Sequence, residues 1–173
     1  ADYFYKKTRD MLLQVPLPEY LGYTNNPWTN AGSIENKGVE LAVNYTGKTN
    51  DFSYSLGGNV FTYSNKVLSL GGGQPLYGIG YDSKTITKTE VGQPVGYFYG
   101  LKTDGVFQSL QEIENHKNSL GEKVVQEKAR PGDLRFVDVN NDGIINDSDR
   151  TYLGSPFPEF TYGFNVNLGY KGF

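Results

Sequence analysis

Along three stretches of the chain, apolar and polar residues alternate strictly. From Val39 to Thr46, Val39, Leu41, Val43 and Tyr45 share one side, with Glu40, Ala42, Asn44 and Thr46 opposite. From Phe52 to Val60, Phe52, Tyr54, Leu56 and Val60 oppose Ser53, Ser55, Gly57 and Asn59. Between Phe160 and Tyr170, Phe160, Tyr162, Phe164, Val166, Leu168 and Tyr170 alternate with Thr161, Gly163, Asn165, Asn167 and Gly169. A period of two held over about ten residues marks a strand with one apolar and one polar face. Tyr3 and Tyr5 open a weaker example, and Val95, Tyr97, Tyr99 and Leu101 line one side of another. The pattern predicts antiparallel strands near residues 3–9, 34–46, 52–66 and 160–170. A short helix is expected over Ser109–Lys117, capped by Ser109 with Glu112 three residues on.

Two all-β architectures produce such alternation: a soluble sandwich, whose apolar faces form the core, and a membrane barrel, whose apolar face meets lipid. Aromatic residues gather near the expected strand ends (Tyr45, Phe52, Phe61, Tyr63, Phe160, Tyr162 and Tyr170), where barrels carry interfacial girdles. The connections are unequal. Gly47–Asp51 reads as a tight polar turn, whereas residues 67–158 contain one good strand pattern. Short turns at one end and long loops at the other suit a barrel wall better than a compact sandwich.

Composition agrees. Only 37% of residues are hydrophobic, against 22 Gly and 14 Tyr, which disfavours a helical bundle. The absence of Cys excludes disulfides and thiolate metal sites. A net charge of −3 with both signs scattered gives no basic footprint for nucleic acid. No apolar run reaches the roughly 18 residues a membrane-crossing helix needs, and a barrel requires none. The chain opens at Ala1-Asp2-Tyr3 and closes at Tyr170-Lys171-Gly172-Phe173, so a segment of a larger protein is expected.

The sharpest chemical motif runs from Asp138 to Asp149. It matches a twelve-position calcium loop, with oxygen side chains at positions one, three and five, Gly143 at six and a carboxylate at twelve. A calcium ion wants six to eight hard oxygens, and alternate residues can aim inward only if glycine takes the sharp turn. The expected ligands are Asp138, Asn140, Asp142, the Ile144 carbonyl, Asn146 and Asp149, holding a structural Ca²⁺. Ile145 at position eight is expected to dock the loop on an apolar neighbour. The same residues also make ordinary Asx-rich turns.

Enzyme chemistry finds little support. His116, the only histidine, lies in a charged stretch and reads as a solvated surface residue. No G-x-S-x-G elbow is present, and Gly71-Gly72-Gly73 leads into Gln74-Pro75 and not into a phosphate-binding helix. Tyr20, Tyr23, Trp28, Tyr77 and Tyr81 fall in expected loops, where rigid aromatic faces can contact substrate or partner, or simply pack the loops.

Several stretches together resemble one family. They are residues 8–13 (TRDMLL), 30–40 (NAGSIENKGVE), Asn59 with Asn65-Lys66-Val67, 92–100 (GQPVGYFYG), 104–107 (DGVF), 131–136 (PGDLRF), the calcium-like loop, and 153–163 (LGSPFPEFTYG). In this order they resemble the SusC/RagA-type TonB-dependent transporters of Bacteroidetes outer membranes, in the later part of the barrel. The resemblance implies a barrel of roughly 22 strands with a plugged lumen. It also implies energy from a TonB complex through segments outside this chain, a SusD-like lipoprotein partner, and oligosaccharide or peptide substrates. Residues 67–158 would then be extracellular, with Val95–Phe107 a strand extension or hairpin outside the membrane. The rival is a soluble, calcium-stabilised β-sandwich that binds carbohydrate or serves adhesion.

Overall fold

The computed structural model describes residues 1–14, 27–78, 80, 81, 84–121 and 123–172. Its strands are β1 (Asp2–Gln14), β2 (Trp28–Thr49), β3 (Phe52–Thr62), β4 (Ser64–Leu70), β5 (Leu76–Tyr77), β6 (Gly80–Tyr81), β7 (Lys84–Thr85), β8 (Thr87–Thr89), β9 (Tyr97–Leu101), β10 (Thr103–Val106), β11 (Leu134–Phe136), β12 (Arg150–Gly154) and β13 (Phe160–Tyr170). One short helix, α1, spans Leu110–Asn115. Two compact units result: Ala1–Leu76 with Thr89–Val95 and Pro156–Phe173, and Tyr77–Lys88 with Gly96–Ser155.

The first unit is an antiparallel wall in the order β1-β2-β3-β13, with β4 also paired to β2. Register puts matching faces together. Leu41 stands opposite Val60 and Val60 opposite Tyr162; the next outward rows are Val43, Gly58 and Phe164, then Tyr45, Leu56 and Val166. On the other face Asn44, Gly57 and Asn165 form a row, followed by Thr46, Ser55 and Asn167. A one-residue slip would exchange the faces, so the alternation itself specifies this register. The apolar face is bare: Tyr162 is 77% and Phe164 74% exposed. A soluble sandwich would bury that face, and this sheet does not.

The strands run longer than the alternation indicates. The stretch near 3–9 continues to Gln14 through a bulge at Asp10, which adopts a φ of 56°. The stretch at 34–46 becomes the 22 residues of β2. At ~3.3 Å per residue this is about 70 Å, more than twice the ~30 Å thickness of bilayer hydrocarbon. The expected 52–66 strand is read as β3 and β4, separated at Tyr63, whose N–H pairs with the Glu159 carbonyl. Glu40 faces Phe61 and Asn36 faces Asn65, so the register passes through Tyr63 unchanged. Backbone pairing extends these strands where side-chain periodicity is already lost, which is why the pattern underestimates them.

Glycines mark close approaches in the wall. At Gly38 a Cβ would stand 2.0 Å from the Thr62 carbonyl oxygen and 2.7 Å from the Phe4 ring. At the turn between β2 and β3, Asn50 takes a left-handed φ of 52°, which Asn tolerates better than most residues. The wall's own buried apolar residues are Val67 and Leu70 on β4. Val67 pairs its N–H with the Gln93 carbonyl and its carbonyl with the Gly92 N–H, each at 2.9 Å.

The second unit corrects the expectation of a 67–158 region with little strand. Its sheet has the order β12-β9-β8-β5, and β10 pairs with β11. Val95–Phe107 supplies β9 and β10, which pair with β8, β12 and β11. Residues 67–70, by contrast, belong to the wall. The core of this unit is Tyr97, Phe107, Ile113 and Val125. The expected helix is present as α1, with the Ser109 hydroxyl accepting the Glu112 N–H. Its neighbour His116 is not a solvated surface residue. It is half-buried, 3.0 Å from the Phe136 carbonyl through Nε2, with its ring edge-on to Phe107 at 5.5 Å.

Candidate metal centre and the faces of the wall

The loop 138–149 closes on itself through its own polar groups. Asp138 Oδ2 accepts the Gly143 N–H at 2.7 Å, drawing position six back to position one. Gly143 has a φ of 80°, and a Cβ there would lie 3.0 Å from the Lys123 side chain, so both backbone and space call for glycine. Asn140 Oδ1 accepts the Asp142 N–H and Asp142 Oδ1 the Ile144 N–H, two successive Asx turns. Asn146 caps the short 3₁₀ turn Asp147–Asp149 by accepting the Ser148 N–H at 2.7 Å. Ile145 is half-buried and lines an open pocket of about 900 Å³ with Val125, Leu134 and Phe136.

Two carboxylates behave differently. Asp149 is fully buried and meets main-chain donors at both oxygens. Oδ1 accepts from Val139 and Asn140, and Oδ2 from Asn146 at 2.8 Å. It ties the beginning of the loop to its end. Asp138 Oδ1, in contrast, is buried with no hydrogen-bond partner. A charged oxygen removed from water without a donor is costly, and a hard cation is one group that offsets the cost. Among the described residues no three His, Cys, Asp or Glu side chains gather as a metal set. An ion held here would therefore rely on amide and main-chain oxygens beside Asp138 and Asp142.

The aromatic residues expected in loops are placed as follows. Tyr20 and Tyr23 lie outside the described residues. Trp28 begins β2 opposite Gln14 and is exposed, so it belongs to a strand. Tyr77 and Tyr81 also sit on strands, β5 and β6, and both are exposed. Tyr77 lies 6.1 Å from Tyr99, and Lys88 caps both rings at 5.8 and 5.1 Å. Arg150 stands 4.8 Å from the Tyr99 ring and donates to the Thr85 and Tyr99 carbonyls. Alternation singled out Tyr99, but its cationic neighbours come from β8 and β12. Nearby in sequence, Asp104 bonds Arg135 at 2.7 Å and holds its guanidinium above the usual value.

Two aromatics assigned to girdles fall elsewhere. Phe61 shares its face with Glu40 and Thr161, the polar side of the wall. It stacks on Phe4 at 5.8 Å and on Tyr63 at 6.2 Å, and Tyr63 meets Phe157 edge-on at 5.5 Å. Tyr45, Phe52, Tyr162 and Tyr170 keep to the apolar side, at its two ends.

Comparison with known proteins returns a β-barrel family. Residues 1–172 match the family model described as "TonB dependent receptor-like, beta-barrel". The chain belongs to this TonB-dependent receptor family. It is 36% identical to TonB-dependent receptor P3 of Formosa agariphila, with 99% of this chain aligned to 17% of that protein. It is 26% identical to TonB-dependent receptor SusC of Bacteroides thetaiotaomicron, over 99% of this chain and 16% of SusC. The chain thus spans about a sixth of the length of these relatives. Among solved structures, the RagAB peptide transporter superposes with a TM-score of 0.65 at 21% identity, covering 98% of this chain and 17% of that one. The same complex in its "open-open" state gives 0.67 at 20% identity.

As a member of this receptor family the chain is a segment of an outer-membrane β-barrel and not an enzyme. No helix among the described residues is long and apolar enough to cross a membrane, and a barrel crosses with strands.

Proposed function

We propose that this receptor segment is part of an importer that takes oligosaccharides or peptides across the outer membrane. The observation that carries this reading is the two-faced wall in a chain of this family. In such barrels the apolar band faces lipid and the polar face lines a hydrated or plugged lumen. On that reading Leu41, Val43, Leu56, Phe164, Val166 and Leu168 meet lipid, and Asn44, Ser55, Asn165 and Asn167 face inward. The turn at Asn50–Asp51 is periplasmic, and the segments between Leu70 and Phe160 are extracellular. The remaining strands, the plug and the contact with the TonB complex come from the rest of the polypeptide. A SusD-like lipoprotein covers the outer mouth, as the likeness to SusC and to a RagAB complex suggests. The substrate-contacting aromatics proposed are Trp28, Tyr77 and Tyr81 among the described residues, with Tyr20 and Tyr23.

The loop 138–149 is a calcium brace for the extracellular part. Asp138, Asn140, Asp142, Asn146 and the Ile144 carbonyl supply oxygens to the ion, and Asp149 holds the loop ends together. The partnerless Asp138 Oδ1 is the support for this assignment. With few carboxylates the affinity is expected near 10⁻⁴–10⁻³ M, roughly that of extracellular modules.

Deletion of the full-length gene tests the transport reading. Growth on an oligosaccharide or a peptide mixture as the sole nutrient should fail and return on complementation. Growth undiminished on every oligosaccharide and peptide source would reject it. For the brace, removing calcium with a chelator, or Asp142→Ala, should speed proteolysis between Gly132 and Ser155 while the barrel strands stay intact. Equal protection with and without the chelator makes the loop an Asx-rich turn only.

A further inference from the structure

The loop 138–149 and the aromatic cluster of Tyr77, Lys88 and Tyr99 meet at one side chain. Arg150 opens β12 and follows directly on Asp149, the carboxylate that ties the loop together. Its own N–H donates to the Asp147 carbonyl, and its Nη1 lies 3.8 Å from Asp147 Oδ1, so it is held to the end of the loop twice. The far end of the side chain reaches the aromatic cluster. There Nη2 donates to the Thr85 carbonyl on β7 and to the Tyr99 carbonyl on β9. The guanidinium carbon stands 4.8 Å from the centre of the Tyr99 ring, and Lys88 lies over both Tyr99 and Tyr77. The Arg150 side chain is 13% exposed, so these contacts replace water around its charge.

We propose that Arg150 is a positioning residue that links the two, so that the state of the loop sets how firmly Tyr77 and Tyr99 are held for a ligand. The proposal rests on the reading of Tyr77 as a substrate contact and adds the control of that contact. β5, β7 and β8 are two or three residues long, so few ladder bonds fix the strands that carry Tyr77 and Lys88. A planar fork that bonds two carbonyls at once sets the spacing of β7 and β9, and its contact with the ring sets the tilt of Tyr99. A lysine in its place would keep the charge and lose the fork. At the loop end, Asp149 accepts the main-chain N–H groups of Val139, Asn140 and Asn146. Weakening those bonds frees the chain next to Arg150, and the fork loses its anchor. An ion that tightens the loop therefore tightens the aromatic pair as well. By linkage, a ligand on the pair tightens the loop in return.

The test is amide hydrogen exchange in the full-length transporter in detergent, read by peptide mass spectrometry. Asp149→Asn should speed exchange in residues 138–149 and also, by about fivefold, in residues 97–101. In Arg150→Met, residues 97–101 should already exchange faster. Adding Asp149→Asn to that variant should speed the loop and change 97–101 no further. An arginine that merely packs would give additive effects at 97–101, and additivity overturns the proposal. Arg150→Lys should behave as Arg150→Met does, and it serves if the methionine variant does not assemble; full coupling in the lysine variant would overturn the proposal too. Calcium should slow exchange over both segments in the wild type, and over the loop alone in Arg150→Met. Protection of the wild-type loop with 97–101 unchanged would again overturn it. Calcium without effect on the loop would reject the brace, and the Asp149→Asn comparison still decides the link. Tyr77→Ala should leave the link intact, and undiminished nutrient uptake in that variant would reject Tyr77 as a substrate contact separately from the link.

Discussion

The β2 hairpin has two halves that use the same backbone and opposite sides. Between Val39 and the Asn50–Asp51 turn, the odd positions of β2 are apolar and exposed, as Leu41, Val43 and Tyr45 show. Between Trp28 and Gly38 the odd positions are Thr29, Ala31, Ser33, Glu35 and Lys37, and Glu35 pairs with Lys37 and with the Tyr5 hydroxyl. The apolar residues there move to the even side: Ile34 stands opposite Val67 and Gly32 opposite Leu70, both partners being buried. No break in pairing to β1 accompanies the reversal, since Val39, Gly38 and Lys37 face Tyr3, Phe4 and Tyr5 in sequence. A strand leaving a bilayer needs this inversion. In lipid the outside supplies the apolar solvent, whereas in water the protein must supply its own. On the proposed topology, the solvent and not the strand sets which face is apolar in the two halves.

Substituting across the two halves gives the largest expected effect. Val43→Arg or Phe164→Arg should destabilise the barrel by about 2–4 kcal/mol, against little for Asn44→Arg or Asn165→Arg. Urea unfolding of the full-length barrel in detergent measures the difference, and equal losses on both faces would erase the comparison.

In the far half the sensitive side is the other one. Leu70→Ala should cost about 2 kcal/mol by removing buried methyl groups, while Lys37→Leu on the opposite side should stay within about 0.5 kcal/mol. Hydrogen exchange over residues 64–70 reads this locally. Faster exchange in Lys37→Leu than in Leu70→Ala would mean that the apolar side has not moved.

The smallest effect separates the two buried carboxylate roles in the loop. Asp149→Asn leaves one of its main-chain donors facing an amide in place of a charged oxygen, a loss of about 1–2 kcal/mol with or without calcium. Asp138→Asn should matter only when calcium is present, lowering its protective effect on proteolysis. If both variants depend on calcium alike, Asp149 is a ligand of the same rank as Asp138.

Reading the chain alone located the β13 strand correctly, because Phe160–Tyr170 is short, alternates throughout and is bounded by Pro158 and a turn. It missed residues 10–14 and 28–33 as strand, because the period-two signal weakens there. It also misread His116, whose charged neighbours in sequence say nothing of Phe107 and Phe136, distant residues that enclose it. The loop was legible at Asp138 and Gly143, where spacing alone dictates geometry. The different hydrogen bonding of Asp138 and Asp149 was not, since it depends on which main-chain donors the folded loop turns inward.

Local alternation, turn chemistry and oxygen spacing were thus determined by the sequence itself: they are short-range, and each follows from backbone geometry over a few residues. Tertiary structure decided the rest. Pairing in register chose which glycines are covered, as Gly38 is by Phe4. It set Phe61 and Tyr63 on the polar face beside Phe4 and Phe157, and it placed the point at which the apolar side changes over. These features belong to strands far apart in the chain, such as β3 and β13, and no single stretch of chain carries the information that fixes them.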